Sequence, residues 1–110
     1  MKLPNAQDAY IDDEKLASYC LNPQHSDGQH KARVFESALD LSLKNLGVLK
    51  VALLEAVQGH EAKPIQRNAY GQKYVIDFAM THNGKTATIH SIWMVKDSEN
   101  FPRLVTCYVL

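Results

Sequence analysis

The stretch His25-Ser26-Asp27-Gly28-Gln29-His30-Lys31-Ala32-Arg33 gathers four basic-type side chains where a helix is predicted to begin. A helix N-terminus already carries a partial positive charge, so basic residues there are mildly unfavourable. His30 and Lys31 fall in the first turn, Arg33 just after it, and His25 in the loop before. With the free backbone N–H groups they make an anion site, and phosphate is its natural occupant. On local pattern alone the plainer reading suffices: exposed side chains on a tolerant helix end. The clustering is what singles the segment out.

Two further groups have the types for chemistry. Asp77 falls opposite His90 in a predicted hairpin, and a carboxylate beside an imidazole orients the ring for acid–base work. As a plain cross-strand polar pair the same two residues contribute up to about 1 kcal/mol, which is the simpler account. At the end of the chain, Arg103 precedes Thr106 and Tyr108, which are two apart and share one face of a strand, opposite Val105 and Cys107. A cation, a hydroxyl and a phenol can hold a phosphate and stack a base, although Thr and Tyr are also ordinary strand formers. His60 and His82 fall in predicted loops with no specific task. His25 and His30, five apart and with no cysteine nearby, lack metal-ligand spacing, so no metal or cofactor is expected. Cys20 and Cys107 sit in apolar surroundings as small hydrophobes, and nothing in the sequence demands a disulfide between them.

The elements that must position these groups are predicted from periodicity. A first helix starts at Asp12 or Asp13, with Glu14 in its first turn and Leu16, Tyr19 and Cys20 on one face, and Asn22-Pro23 ends it. A second, capped by Ser26 or Asp27, buries Ala32, Phe35, Ala38 and Leu39. The third runs from about Ser42 to Gln58 with Leu46, Leu49, Leu53 and Val57 on one face and Gly59 as its stop. From Glu61 the period becomes two. A short edge strand over Lys63–Asn68 contains Pro64, and Ala69–Gln72 is a turn. Asn83-Gly84, between alternating runs, predicts a two-residue hairpin that pairs Met80 with Ala87, Phe78 with Ile89, Ile76 with Ser91 and Tyr74 with Trp93 on the core side. Val75–Ile92, Asp77–His90, Ala79–Thr88 and Thr81–Thr86 then form the open face. A final strand, Arg103–Leu110, follows the Asp97–Pro102 loop; its register, and so the side that Thr106 and Tyr108 face, stays open. The expectation is an α+β fold, about three N-terminal helices packed on one face of a C-terminal four-stranded antiparallel meander.

Length and charge set the frame. The 110 residues suit one domain over 1–110 with a core that needs no staples. Twelve basic residues balance twelve acidic ones, which excludes wholesale coating of a duplex but leaves room for a local basic site. Met1-Lys2-Leu3-Pro4-Asn5 has no apolar stretch of the signal-peptide kind, and no run is long enough to span a bilayer, so a cytoplasmic protein is expected.

Longer strings carry a resemblance. Leu3-Pro4-Asn5-Ala6, the pattern NPxHxxGxxKAxxF from Asn22 to Phe35, and FPRLVTCY from Phe101 to Tyr108 resemble a bacterial domain family of unknown function. That family occurs as short stand-alone proteins and at the C-termini of polymorphic toxins. It is similar in turn to the barnase–EndoU–colicin–RelE superfamily of metal-independent ribonucleases, whose plan is helices followed by a four-stranded antiparallel sheet. The EndoU-like branch implies catalytic roles for His25 (ahead of His30), Lys31, and Thr106 with Tyr108.

On this reading the 2′-hydroxyl of RNA attacks phosphorus and leaves a cyclic phosphate. Lys31 and Arg103, with Arg33, stabilise charge, and Tyr108 or His90 supplies the second proton transfer. His30, Arg33, His90 and Asp77 help to bind substrate. The implied partners are RNA, either tRNA or ribosome-bound mRNA, and a cognate antitoxin or immunity protein. The rival is a protein-binding module without catalysis: an antitoxin, an immunity protein or an inactive relative. Convergence of His25, Lys31, Arg103, Thr106 and Tyr108 in one concave site favours the enzyme, and their scatter counts against it.

Overall fold

Asn83 and Gly84 take φ of 51° and 77°, the paired positive values that a two-residue I′ turn needs. In the computed structural model, which describes residues 1–110, this turn joins β2 (Gly71–His82) to β3 (Lys85–Lys96). The register is the one the hydrophobic alternation demands: Tyr74 opposite Trp93, Ile76 opposite Ser91, Phe78 opposite Ile89 and Met80 opposite Ala87. Asp77 stands opposite His90 on the other face. β1 (Lys63–Arg67) and β4 (Pro102–Val109) complete an antiparallel sheet of order β1-β2-β3-β4.

The helices come first and lie against one side of this sheet. Asp12 caps α1 (Asp13–Lys15) by accepting from the Glu14 N–H at 3.0 Å. The chain then widens into a π-helical turn, Leu16–Cys20, closed by the Leu21 N–H on the Leu16 carbonyl at 2.9 Å. α2 (Gln29–Leu39) buries Ala32, Phe35 and Leu39. A 3₁₀ turn, Leu43–Asn45, leads into α3 (Leu46–Gly59), which buries Leu49, Leu53, Ala56 and Val57. Gly59 is thus the last helical residue rather than the stop beyond it, and the extended His60 ends the helix.

Apart from Ala32, these side chains meet Ile76, Phe78, Met80, Ile89, Trp93, Leu104 and Cys107 from the sheet in one core. Its single buried polar side chain is satisfied twice: Ser91 Oγ donates to the Ile76 carbonyl at 2.7 Å and accepts from Trp93 Nε1 at 2.9 Å. No helix is long and apolar enough to cross a membrane.

β4 departs from simple alternation. Its register against β3 shifts between Ile92 and Trp93, where Thr106 pairs with Ile92 but Leu104 with Trp93. Val105 is the extra residue of a bulge. Strict period two would put Leu104 beside Thr106 and Tyr108, and Arg103 and Val105 beside Cys107. The bulge instead sends Leu104 into the core with Cys107. The expected grouping of Val105 with Cys107 therefore fails: Val105 is half-buried and lines a surface concavity with Arg103. The N-terminal segment runs parallel beside the start of β4, with the Tyr10 N–H on the Pro102 carbonyl at 2.9 Å and the Leu104 N–H on the Tyr10 carbonyl at 3.0 Å.

Candidate functional site

α2 runs past the free edge of β4, so a long side chain on it can reach the outer face of the sheet. Lys31 does this. Its Nζ donates to Tyr19 Oη at 2.9 Å and to Thr106 Oγ1 at 3.3 Å, and lies 5.2 Å from the centroid of the Tyr108 ring. Tyr108 in turn faces His90, ring centroids 4.9 Å apart. His90 Nδ1 is 2.7 Å from Asp77 Oδ1, with a fifth of the His90 side chain exposed. A chain of contacts therefore runs Tyr19–Lys31–Thr106/Tyr108–His90–Asp77 from the helices onto the sheet. The carboxylate engages Nδ1, so Nε2 is the ring nitrogen left for other partners. Lys31 has no carboxylate partner among the ion pairs, leaving its charge for an anion.

Periodicity assigns Tyr19 only to an apolar helix face, and the structure makes it the link between the helices and Lys31. Its position follows from Gly28. A Cβ at Gly28 would stand 2.2 Å from the Tyr19 carbonyl oxygen, so only glycine lets the π-turn lie this close to the start of α2. This gives the glycine of the NPxHxxG string a physical reason.

His25 is placed by the same local packing. Its Nδ1 accepts from the N–H groups of Asp27 and Gly28, both at 3.0 Å, and its ring meets Tyr19 edge-on at 5.0 Å. An accepting Nδ1 leaves Nε2 to carry the ring proton. This corrects the expected capping: neither Ser26 nor Asp27 caps α2, and His25 satisfies the loop N–H groups in their place. The Gln29 N–H is also taken, by the His25 carbonyl at 2.9 Å. The first N–H of α2 is thus taken up by its own chain, and the Lys31 charge lies apart from the helix start, at Tyr19 and Thr106.

The other residues singled out in the sequence divide. His30 lines a shallow recess with Lys31, Val34, Tyr108 and Val109. Arg33 is exposed and reaches back to Gln29 Oε1 at 3.4 Å, so it does not join the cluster. Nor does Arg103, which lies beyond the bulge, roughly 10 Å along β4 from Thr106. Glu99 engages its Nε and Nη2, both at 2.6 Å, while Tyr10 and Phe101 flank the guanidinium at 4.9 and 5.4 Å. Of the five residues whose convergence matters, Lys31, Thr106 and Tyr108 meet, His25 joins through Tyr19, and Arg103 stands apart. His82 is not in a loop; it ends β2, with Nδ1 2.6 Å from the Leu39 carbonyl.

Beneath the site lie the two thiols, free and buried. Cys107 Sγ donates to Cys20 Sγ at 3.9 Å, and Cys20 Sγ is also 3.9 Å from Thr106 Oγ1. The Cys20 thiol is lowered to about 6, chiefly by the hydrogen bond from Cys107 and against the effect of burial, with Thr106 and Lys31 adding to the shift. Cys107 moves the other way, pushed up by the same bond and by burial.

The backbone has a solved counterpart. At 15% sequence identity and a TM-score of 0.70, the chain resembles a chain of the contact-dependent growth inhibition toxin – immunity protein complex from Klebsiella pneumoniae 342, covering 94% of this chain and 95% of that one. At that identity the likeness establishes a shared fold. No curated protein matches the sequence. Residues 2–110 match the profile of a domain of unknown function, and the chain belongs to that family, DUF6883.

Proposed function

We propose that this protein is a metal-independent endoribonuclease of the bacterial toxin kind. The observation that carries the reading is the outward-facing Lys31 ammonium, held between Tyr19 Oη and Thr106 Oγ1 beside Tyr108 and the Asp77–His90 pair. Lys31 and the Thr106 hydroxyl bind the non-bridging oxygens of the scissile phosphate, where charge develops in the transition state. His90, oriented through Nδ1 by Asp77, takes the 2′-hydroxyl proton at Nε2. The 2′-oxygen forms a bond to phosphorus as the bond to the 5′-oxygen breaks, and the Tyr108 phenol gives that oxygen its proton. His25 is a positioning residue: it ties the α2 start to Tyr19, and Tyr19 orients Lys31. The toxin setting draws support from the shared fold with a chain of a toxin–immunity complex. It implies a cytoplasmic RNA target, tRNA or ribosome-bound mRNA, and a cognate immunity protein or antitoxin.

The test is cleavage of RNA in EDTA by wild type, Lys31→Ala and His90→Ala, with the cyclic phosphate product identified. Loss of a charge-stabilising donor lowers the rate about a hundredfold or more. Equal rates in all three proteins, or no cleavage by wild type of any cellular RNA, overturn the proposal. In the latter case the non-catalytic protein-binding reading stands in its place.

A further inference from the structure

The same outer face of the sheet carries a second concavity, on the far side of the Val105 bulge from Lys31. It has a volume of about 450 Å³, within the usual size of small-molecule sites. Lys15, Lys73, Lys96 and Arg103 line it, against the single carboxylate of Asp12. Of these cations only Arg103 has an ion-pair partner, Glu99, and that pair uses Nε and Nη2 and leaves Nη1 free. Three lysines facing one concavity without carboxylate partners create a local positive field on a chain of zero net charge.

Two exposed tyrosines complete the lining. Tyr10 is 47% exposed and Tyr70 is 72% exposed, although each backbone is pinned. Tyr10 is bridged to β4 on both sides. Tyr70 sits in the β1–β2 turn, where Asn68 Oδ1 accepts from the Tyr70 and Gly71 N–H groups at 2.8 and 3.2 Å. Its own carbonyl accepts from the Asp97 N–H at 2.8 Å. A wet aromatic ring on a fixed turn, beside unpaired cations, has little packing role. Its chemistry suits a stacked base next to a phosphate.

We infer that this concavity is a nucleotide subsite, in which Lys73, Lys96 and Arg103 hold a phosphate of single-stranded RNA and Tyr70 and Tyr10 take the adjoining base. It deepens the ribonuclease reading and rests on that reading for the choice of RNA: one strand lying along β4 would fill the concavity and reach Lys31. It also gives Arg103 a task despite its separation from the Lys31 cluster, as a substrate-holding group away from the bond that breaks.

The probe is a short fluorescein-labelled single-stranded oligoribonucleotide, 2′-O-methylated throughout so that it cannot be cleaved, followed by anisotropy over a salt series. Tyr70→Ala weakens binding about fivefold or more, the lower end for one base stacked on an aromatic ring. Lys73→Gln with Lys96→Gln weakens it further and flattens the slope of log K against log salt by about 0.7 for each phosphate charge no longer neutralised. All three side chains are at the surface, and the thermal midpoint checks that the variants fold.

On wild type itself, amide shifts induced by adenosine 5′-monophosphate should centre on Tyr70, Lys96 and Arg103. Wild-type affinity in both variants, shifts centred elsewhere, or no binding by wild type overturns the subsite. So does tighter binding of polyglutamate than of the oligoribonucleotide, which would mark a surface for an acidic protein. Binding through Tyr70 with no cleavage of unmodified RNA sinks the ribonuclease and spares the subsite. Cleavage with no effect of these variants on affinity does the reverse.

Discussion

Gly28→Ala tests the link between backbone packing and the site. The residue has φ −91° and ψ −10°, a conformation alanine adopts freely. The substitution on its own should therefore stabilise by about 0.4–1 kcal/mol, through the lower entropy of the unfolded chain. The new Cβ, however, would lie 2.2 Å from the Tyr19 carbonyl oxygen and 2.9 Å from its carbonyl carbon. Even to reach 3.0 Å the π-turn must retreat by about 0.8 Å, and forced repacking of that kind costs about 1–3 kcal/mol.

The clash outweighs the gain over most of this range, for a net loss of roughly 0–2.6 kcal/mol, at about 4–8 °C in Tm for each kcal/mol. Gly47→Ala is the matched control. It lies in α3 with nothing within 4 Å of its virtual Cβ, so it should stabilise by up to about 1 kcal/mol. Urea unfolding followed by the fluorescence of Trp93, the only tryptophan, measures both. Gly28→Ala should also slow RNA cleavage, because the retreating π-turn carries Tyr19 away from Lys31. A Gly28→Ala protein more stable than wild type, as Gly47→Ala should be, would refute the account of why the motif carries glycine.

Ser91→Ala strands the buried Trp93 Nε1–H and should cost about 1–3 kcal/mol, with a shifted tryptophan emission; an unchanged urea midpoint would contradict it. The Arg103 guanidinium holds the Glu99 carboxyl below its ordinary 4.5. A depressed carboxyl stabilises the fold above its unfolded value and loses that contribution as pH falls through its folded value, so Glu99→Gln should flatten the fall of Tm below about pH 4.5. A Tm–pH curve parallel to that of wild type would count against the pair. His25→Ala should lower cleavage less than Lys31→Ala and be partly rescued by His25→Asn, whose side chain can accept from the same N–H groups; rescue fails if the imidazole itself transfers a proton.

The hairpin is fully legible in the sequence because two signals agree on it: Asn83-Gly84 sets the turn, and an apolar period of two sets the faces. The buried stripe of α2 and the leucines of α3 are legible for the same reason, a period carried through several turns. What escapes are the places where one residue is inserted. The π-turn at Leu16–Cys20 rotates Tyr19 toward Lys31, and the bulge at Val105 changes which residues of β4 face outward. Neither insertion leaves a mark on local propensity. The cap by His25 is hidden because an imidazole stands in for the usual Ser or Asp, both of which are present as decoys at Ser26 and Asp27. Of the candidate site, Lys31 and the Thr106–Tyr108 pair are visible by type. The lysines at positions 15, 73 and 96 are not, since they come together only through the sheet and the N-terminal segment.

The bulge at Val105 also works as a parity switch in the last strand. Arg103 and Thr106 are separated by an odd number of steps yet look out of the same side, while Leu104 and Cys107 look in. Deleting Val105 would make Leu104 and Thr106 neighbours, as Trp93 and Ile92 are on β3, so each side chain would keep its side and only the local bend would be lost. Replacing Val105 with another half-exposed side chain would leave the pattern intact. The side each residue takes is therefore set by its partner on β3, and the inserted residue contributes bend and twist to the strand rather than a place on either face.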